Sequence, residues 1–130
     1  LYPGYRHYEG EYSRLGRQHW GPVFDAHHLS AAFEHHDHEL KRSKPLAGGR
    51  IDTTGTLYLG DGCLGRAPRV VRSLRPIDRR RRWYLEHSAG EAHFWRVDLD
   101  RVGLRFTAVG IDGQVLDEAA VPARTKLSPD

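Results

Sequence analysis

His36 and His38, two imidazoles one residue apart, are the side chains here best typed and spaced for chemistry. They lie in the stretch His35-His36-Asp37-His38-Glu39-Leu40-Lys41-Arg42-Ser43, just past the apolar run Leu29-Ser30-Ala31-Ala32-Phe33. In an extended segment residues i and i+2 point to the same side, so both rings are expected to face one small volume at the end of a strand. Neutral imidazole is a common metal ligand, and such convergence suits a cation. Four of the nine histidines (His28, His35, His36 and His38) fall within eleven positions, which sets this region apart from the rest of the chain.

The elements that must hold these rings can be read from periodicity. Leu15, His19 and Val23 share one face of a helix expected from Ser13 to His28, with Ser13 as its N-cap. Pro22 is unfavourable inside a helix, so a kink or two helical pieces are expected near Gly21-Pro22. Residues 29–34 read as a short buried strand. Residues 40–46 read as an edge strand stopped by Pro45, and Thr56-Leu57-Tyr58-Leu59 as a strand running into the glycine-rich turn of Gly60, Gly62 and Gly65. His93, Trp95, Val97 and Leu99 alternate against polar neighbours, as do Val102, Leu104, Phe106 and Ala108. Asp112-Gly113 predicts a hairpin turn, with Val115 to Val121 as the returning strand. The expected fold class is α+β, mostly antiparallel sheet with one or two helices, in a single domain over 1–130 with a polar tail at 122–130.

At 130 residues the chain can enclose a real core, and its 38% hydrophobic and 28% charged residues read as globular. No apolar run approaches a membrane span, so no membrane partner is expected. There is no methionine, which predicts a chain processed or cut from something longer. Lone Cys63 excludes an internal disulfide. The net charge of +3 is concentrated in an arginine-rich segment, 66–82, expected to be a surface excursion. Nucleic-acid binding by that segment, with Trp83 and Tyr84 stacking on bases, is the rival reading, weakened by the small net charge. Nothing in the residues assigns a compartment.

The order of elements resembles the C-terminal part of calcineurin-like metallophosphoesterases, the purple acid phosphatase branch in particular. That family carries Gly-His-x-His followed by Tyr-Glu-Arg-Thr and a Pro-Leu. Here His36-Asp37-His38 matches His-x-His, Arg42-Ser43 matches Arg-Thr, and Pro45-Leu46 follows. Trp20-Gly21-Pro22-Val23-Phe24 upstream, and the strands from His93 to Val121 downstream, fit the same order. His35 stands where the family has glycine, and the Asp-x-His, Gly-Asp-x-x-Asp and Gly-Asn-His motifs of the family's first half are absent.

The resemblance implies metal-dependent hydrolysis of phosphate esters by a metal-bound hydroxide, with His36 on one metal and His38 on the other. Zinc, iron or manganese would suit such ligands to different degrees. Additional ligands would come from His35, Asp37, His7 or Asp61, a catalytic role from Asp37 or His35, and phosphate contacts from Arg42, Arg66 and Arg69. Two histidines cannot hold two metals. The missing half of a layered sandwich would also leave an apolar sheet face bare, so self-association that covers the face and completes the site is expected. The alternative is a metal-binding but catalytically silent fragment. The remaining histidines carry blander expectations: His27 and His28 as helix caps, His93 as a hydrogen-bonded core residue, and His19 and His87 at the surface.

Overall fold

A computed structural model describes residues 1–63, 65–69 and 81–124. Its centre is β5 (Leu57–Gly60), a strand buried along its whole length. Leu57 and Leu59 point to one side and Tyr58 to the other, and each side is packed, so the usual alternation of buried and exposed residues is lost. β1 (Ala31–Glu34) pairs with β5 in parallel, in the register Ala31 opposite Leu57 through Glu34 opposite Gly60. β2 (Leu40–Ser43) pairs antiparallel on the other side of β5, and β6 (Leu85–Ala89) closes the sheet in the order β1-β5-β2-β6.

β2, expected at an edge, lies inside the sheet, because its one charged inward residue is satisfied within the fold. Lys41 is 2% exposed, and its Nζ donates to the Tyr2 carbonyl at 2.6 Å and to Glu34 Oε2 at 2.5 Å. Between β2 and β5 a small ribbon forms, β3 (Leu46–Ala47) against β4 (Arg50–Ile51).

One face of the sheet carries Tyr58, Tyr84, Leu46 and Leu85, covered by Tyr2, Tyr8 and Phe24 from the N-terminal segment and helices. The helical region divides as Pro22 predicts, into α1 (Glu11–His19) and α2 (Gly21–Ala26). Pro22 sits in the first turn of α2, where its missing N–H costs nothing. The N-cap is Gly10 rather than Ser13, which lies inside α1; no side chain caps this end, and Arg14 N–H donates to the Gly10 carbonyl at 2.9 Å. The end of α2 is closed by backbone: His28, at φ 50°, donates to the Asp25 carbonyl and Leu29 to that of Phe24.

The other face carries Leu57 and Leu59, covered by Phe106 and flanked by Trp95, Leu104, Ala119 and Val121. These belong to an antiparallel sheet of β7 (His93–Leu99), β8 (Gly103–Gly110) and β9 (Val115–Pro122). The β8–β9 turn is the expected Asp112-Gly113, with Gly113 at φ 81° and Asp112 Oδ1 accepting the Gln114 amide. The tail begins later than expected: β9 runs through Pro122, Ala123 N–H donates to the Val102 carbonyl, and positions 125–130 lie outside the described residues. Polar contacts among the described residues also join the sheets. Arg42 forms two bonds to Asp117, at 2.7 and 2.9 Å, and the Gly60 carbonyl oxygen receives Trp95 Nε1 at 2.8 Å and lies 2.8 Å from Nε2 of fully buried His93.

The fold is therefore α+β and mostly antiparallel, as expected. Among the described residues both faces of the central sheet are packed against other elements, however. Three of the exposed apolar side chains lie on strands that end their sheets. Val97 and Leu99, opposite Phe106 and Leu104 in register, and Phe33 on β1 stand 43%, 77% and 38% exposed beside the terminal strands β7 and β1. Among the described residues no helix is long and apolar enough to cross a membrane.

Candidate metal and phosphate site

The histidine motif occupies the link between β1 and β2, which passes over the carboxyl end of β5. That link is a turn, not a continued strand: His36 and Asp37 form its corner, the His38 amide faces the His35 carbonyl at 3.4 Å, and His38 has φ 51°. Strand alternation therefore does not govern where the two rings go. What fixes the turn is Asp37. Its side chain points inward and is 5% exposed, with Oδ2 accepting the Gly4 amide at 2.9 Å and the Tyr5 amide at 3.2 Å, and Oδ1 lying 3.2 Å from Arg6 Nε. With Asp37 turned in, its neighbour His36 is left exposed and His38 half-buried.

A second turn supports the first. His35 Nδ1 meets Asp61 Oδ1, just beyond the end of β5. A Cβ on Gly62 would lie 1.8 Å from the His35 carbonyl oxygen, so the close approach of the two turns requires glycine there. Gly60-Asp61-Gly62 thus serves to seat the histidine turn.

The charge around the turn is mixed. His36 lines a cleft of about 120 Å³ with Arg6, Glu34, Asp37, Lys41 and Tyr12. Burial alone would raise the Glu34 carboxyl, but the Lys41 ammonium beside it holds it below the usual range. Glu39, next to His38, is 1% exposed, and neither carboxyl oxygen has a hydrogen-bond partner among the described residues. Burial, and then the neighbouring Asp37 charge, push it up to about 7. On the far side, the Arg69 amide donates to the His38 carbonyl at 2.9 Å, and its guanidinium stacks 4.9 Å from the centre of the Tyr5 ring.

The residues singled out in the sequence thus divide. His35, His36, Asp37, His38, Asp61 and Arg69 come together. Arg42 is engaged by Asp117 between the sheets, Arg66 is exposed with its amide on the Cys63 carbonyl, and His7 is exposed in the turn before α1. Arg6, Glu34, Lys41 and Glu39 line or adjoin the cleft without having been singled out. Strand alternation could have placed Lys41, but Arg6 reaches Asp37 from an irregular segment that gives no periodic signal. For base stacking, Tyr84 is unsuited: it is fully buried and its hydroxyl donates to the Pro3 carbonyl at 2.6 Å. Positions 70–80 of the arginine-rich segment lie outside the described residues.

Among the described residues no three or more His, Cys, Asp or Glu side chains gather as a metal would need. A catalytic zinc is usually held by about three protein ligands with one open position. Two imidazoles on one turn do not meet that count, so the described residues of one copy do not fit a resident metal centre.

No family model matches this sequence, and no curated protein matches it either. Among solved structures, the fold is similar to that of a purple acid phosphatase isolated from yellow lupin (Lupinus luteus) seeds, with a TM-score of 0.70 at 17% sequence identity. The likeness covers 92% of this chain but only 23% of that one. At this identity the likeness is one of fold: the chain has the architecture of a segment of a purple acid phosphatase.

Proposed function

We propose that the chain belongs to the metal-dependent phosphate-ester hydrolases and works as an assembled unit, with His36 and His38 supplying part of a metal centre that a second copy completes. The observation that carries this reading is the clamped turn: Asp37 turns inward onto the Gly4 and Tyr5 amides, while His36 and His38 stay accessible, the Arg6 side chain lining the same cleft as His36 and the Arg69 amide held on the His38 carbonyl. Imidazoles beside guanidinium groups suit a metal-bound phosphate oxyanion, since imidazole takes the cation and a planar fork takes the oxygens. The fold likeness to a phosphatase supports the substrate class. The exposed Phe33, Val97 and Leu99 beside two terminal strands support self-association.

The shortage of ligands in one copy favours a second reading, a metal-binding chain without turnover. One experiment separates them. Hydrolysis of phosphate mono-, di- and triesters is measured with zinc, iron or manganese, for the parent chain and for a His36→Ala/His38→Ala variant whose circular dichroism matches it. Metal-dependent turnover lost in the variant supports the hydrolase. Metal retention lost in the variant, with no turnover in either protein, supports the silent chain. Turnover unchanged in the variant removes both readings.

A further inference from the structure

A second cavity, of about 200 Å³, opens between the helices and the glycine turn of the β3–β4 ribbon. None of the histidine-turn residues lines it. Tyr2 and Tyr58 do, their ring centres 4.5 Å apart, together with Tyr8. Two opposite charges line it as well. Asp25, half-buried on α2, accepts the Gly48 amide on Oδ2 at 2.8 Å, and a carboxylate has lone pairs for more than one donor. Arg17, on α1, lies with its guanidinium carbon 3.5 Å from the centre of the Tyr8 ring and donates from Nη1 to the Leu1 carbonyl at 2.8 Å. Its carboxylate contact among the described residues is a loose one, 3.7 Å to exposed Glu9, so donors of its five-membered set are left for a ligand.

The size and chemistry of this space restrict what could fill it. A dry cavity of roughly 150 Å³ accepts a benzene ring. The present one has room for such a ring and a few further atoms, and its tyrosine faces favour an apolar or aromatic body. A lone cation would meet Arg17 and a lone anion would meet Asp25, whereas a molecule carrying both charges satisfies each. Burial pushes the Tyr2 hydroxyl up to about 12 and that of Tyr58 higher still, so both remain neutral and add no competing charge. We infer that this cavity is a binding site for a small zwitterion with an apolar or aromatic body, of the free α-amino acid class, its ammonium at Asp25 and its carboxylate at Arg17.

The test uses three probes of one shape: L-phenylalanine, phenethylamine, which lacks the carboxylate, and 3-phenylpropionate, which lacks the ammonium. Affinities are measured by calorimetry and the site is mapped by amide chemical-shift changes. Phenylalanine is expected to bind at least about tenfold more tightly than either single-charge probe, the scale of one lost charge-assisted hydrogen bond. Its shifts should centre on Tyr2, Asp25, Gly48 and Tyr58. Asp25→Asn, which keeps an acceptor for the Gly48 amide, should reduce phenylalanine binding about tenfold while 3-phenylpropionate, freed of the like charge, binds no more weakly than to the parent chain. Three probes of equal affinity, no binding of phenylalanine at millimolar concentration, or shifts centred elsewhere would each overturn the inference. The comparison among probes on the parent chain decides the matter even if the variant fails to fold.

Discussion

Replacing Asp37 should destabilise the protein in proportion to the bonds removed, because the carboxylate is the clamp of the histidine turn. In the parent chain it accepts two backbone amides, from Gly4 at 2.9 Å and Tyr5 at 3.2 Å, one of them fully buried. A hydrogen bond to a charged group contributes roughly 1.5–3 kcal/mol. The Arg6 contact adds only about 0.5 kcal/mol, since Arg6 is 42% exposed and screened by solvent. Removing Asp37 also relieves its repulsion of Glu39, an offset of the opposite sign. Asp37→Ala is therefore expected to cost about 3 kcal/mol. Asp37→Asn, which keeps a neutral acceptor oxygen for the same amides, should cost about 1 kcal/mol. In urea, with a slope of roughly 2 kcal/mol/M, the midpoints should fall by about 1.5 M and about 0.5 M. Chemical denaturation at constant slope checks both. A loss under about 1 kcal/mol for alanine, or equal losses for the two variants, would show that the clamp does not hold the turn.

Glu39 gives a pH signature. Its folded value, near 7, lies above the ordinary 4.5, so between those pH values the native state holds more protons than the unfolded chain. Stability from this group is present in full below about pH 4.5 and declines as pH rises towards 7, by up to about 3 kcal/mol. Glu39→Gln should flatten that decline and be the more stable protein at pH 7; a parallel decline in the variant would assign the effect elsewhere. The bond between Arg42 and Asp117 joins the two sheets from half-buried positions, and a double-mutant cycle with alanine should return a coupling of about 1–2 kcal/mol, whereas a value near zero would make it an ordinary surface pair. Burial pushes the Cys63 thiol up to about 11, so iodoacetamide at pH 8 should leave the native protein unmodified and label it only on unfolding.

Much of the fold is legible in the sequence because its strands follow strong local signals. Apolar residues recur at every second position in β7 and β8, and Asp112-Gly113 marks the turn into β9. The division of the helix at Gly21-Pro22 follows from one proline. β2 reads as an edge strand because Pro45 stops it, while the carboxylate and carbonyl that hold Lys41 inside the sheet come from positions 34 and 2, which local patterning does not connect. The bare face expected after loss of half a sandwich is instead a packed face, because β7–β9 and the N-terminal segment each cover one side. At the candidate site, residue types identify the histidine cluster and its neighbour Asp61, but the extended geometry expected for His36 and His38 gives way to a turn. The inward pull on Asp37 comes from amides more than thirty positions away, and spacing alone carries no trace of them.

Whether His36 and His38 bind a cation, and in what assembly, is read most directly by quantifying metal across a size-exclusion profile with light scattering, after loading with zinc or manganese and removing excess ion. Metal should co-elute with an oligomer of the chain, and the His36→Ala/His38→Ala variant should elute metal-free. Metal retained equally by that variant, or an oligomer of the parent chain that emerges without any, would contradict a ligand role for the two imidazoles.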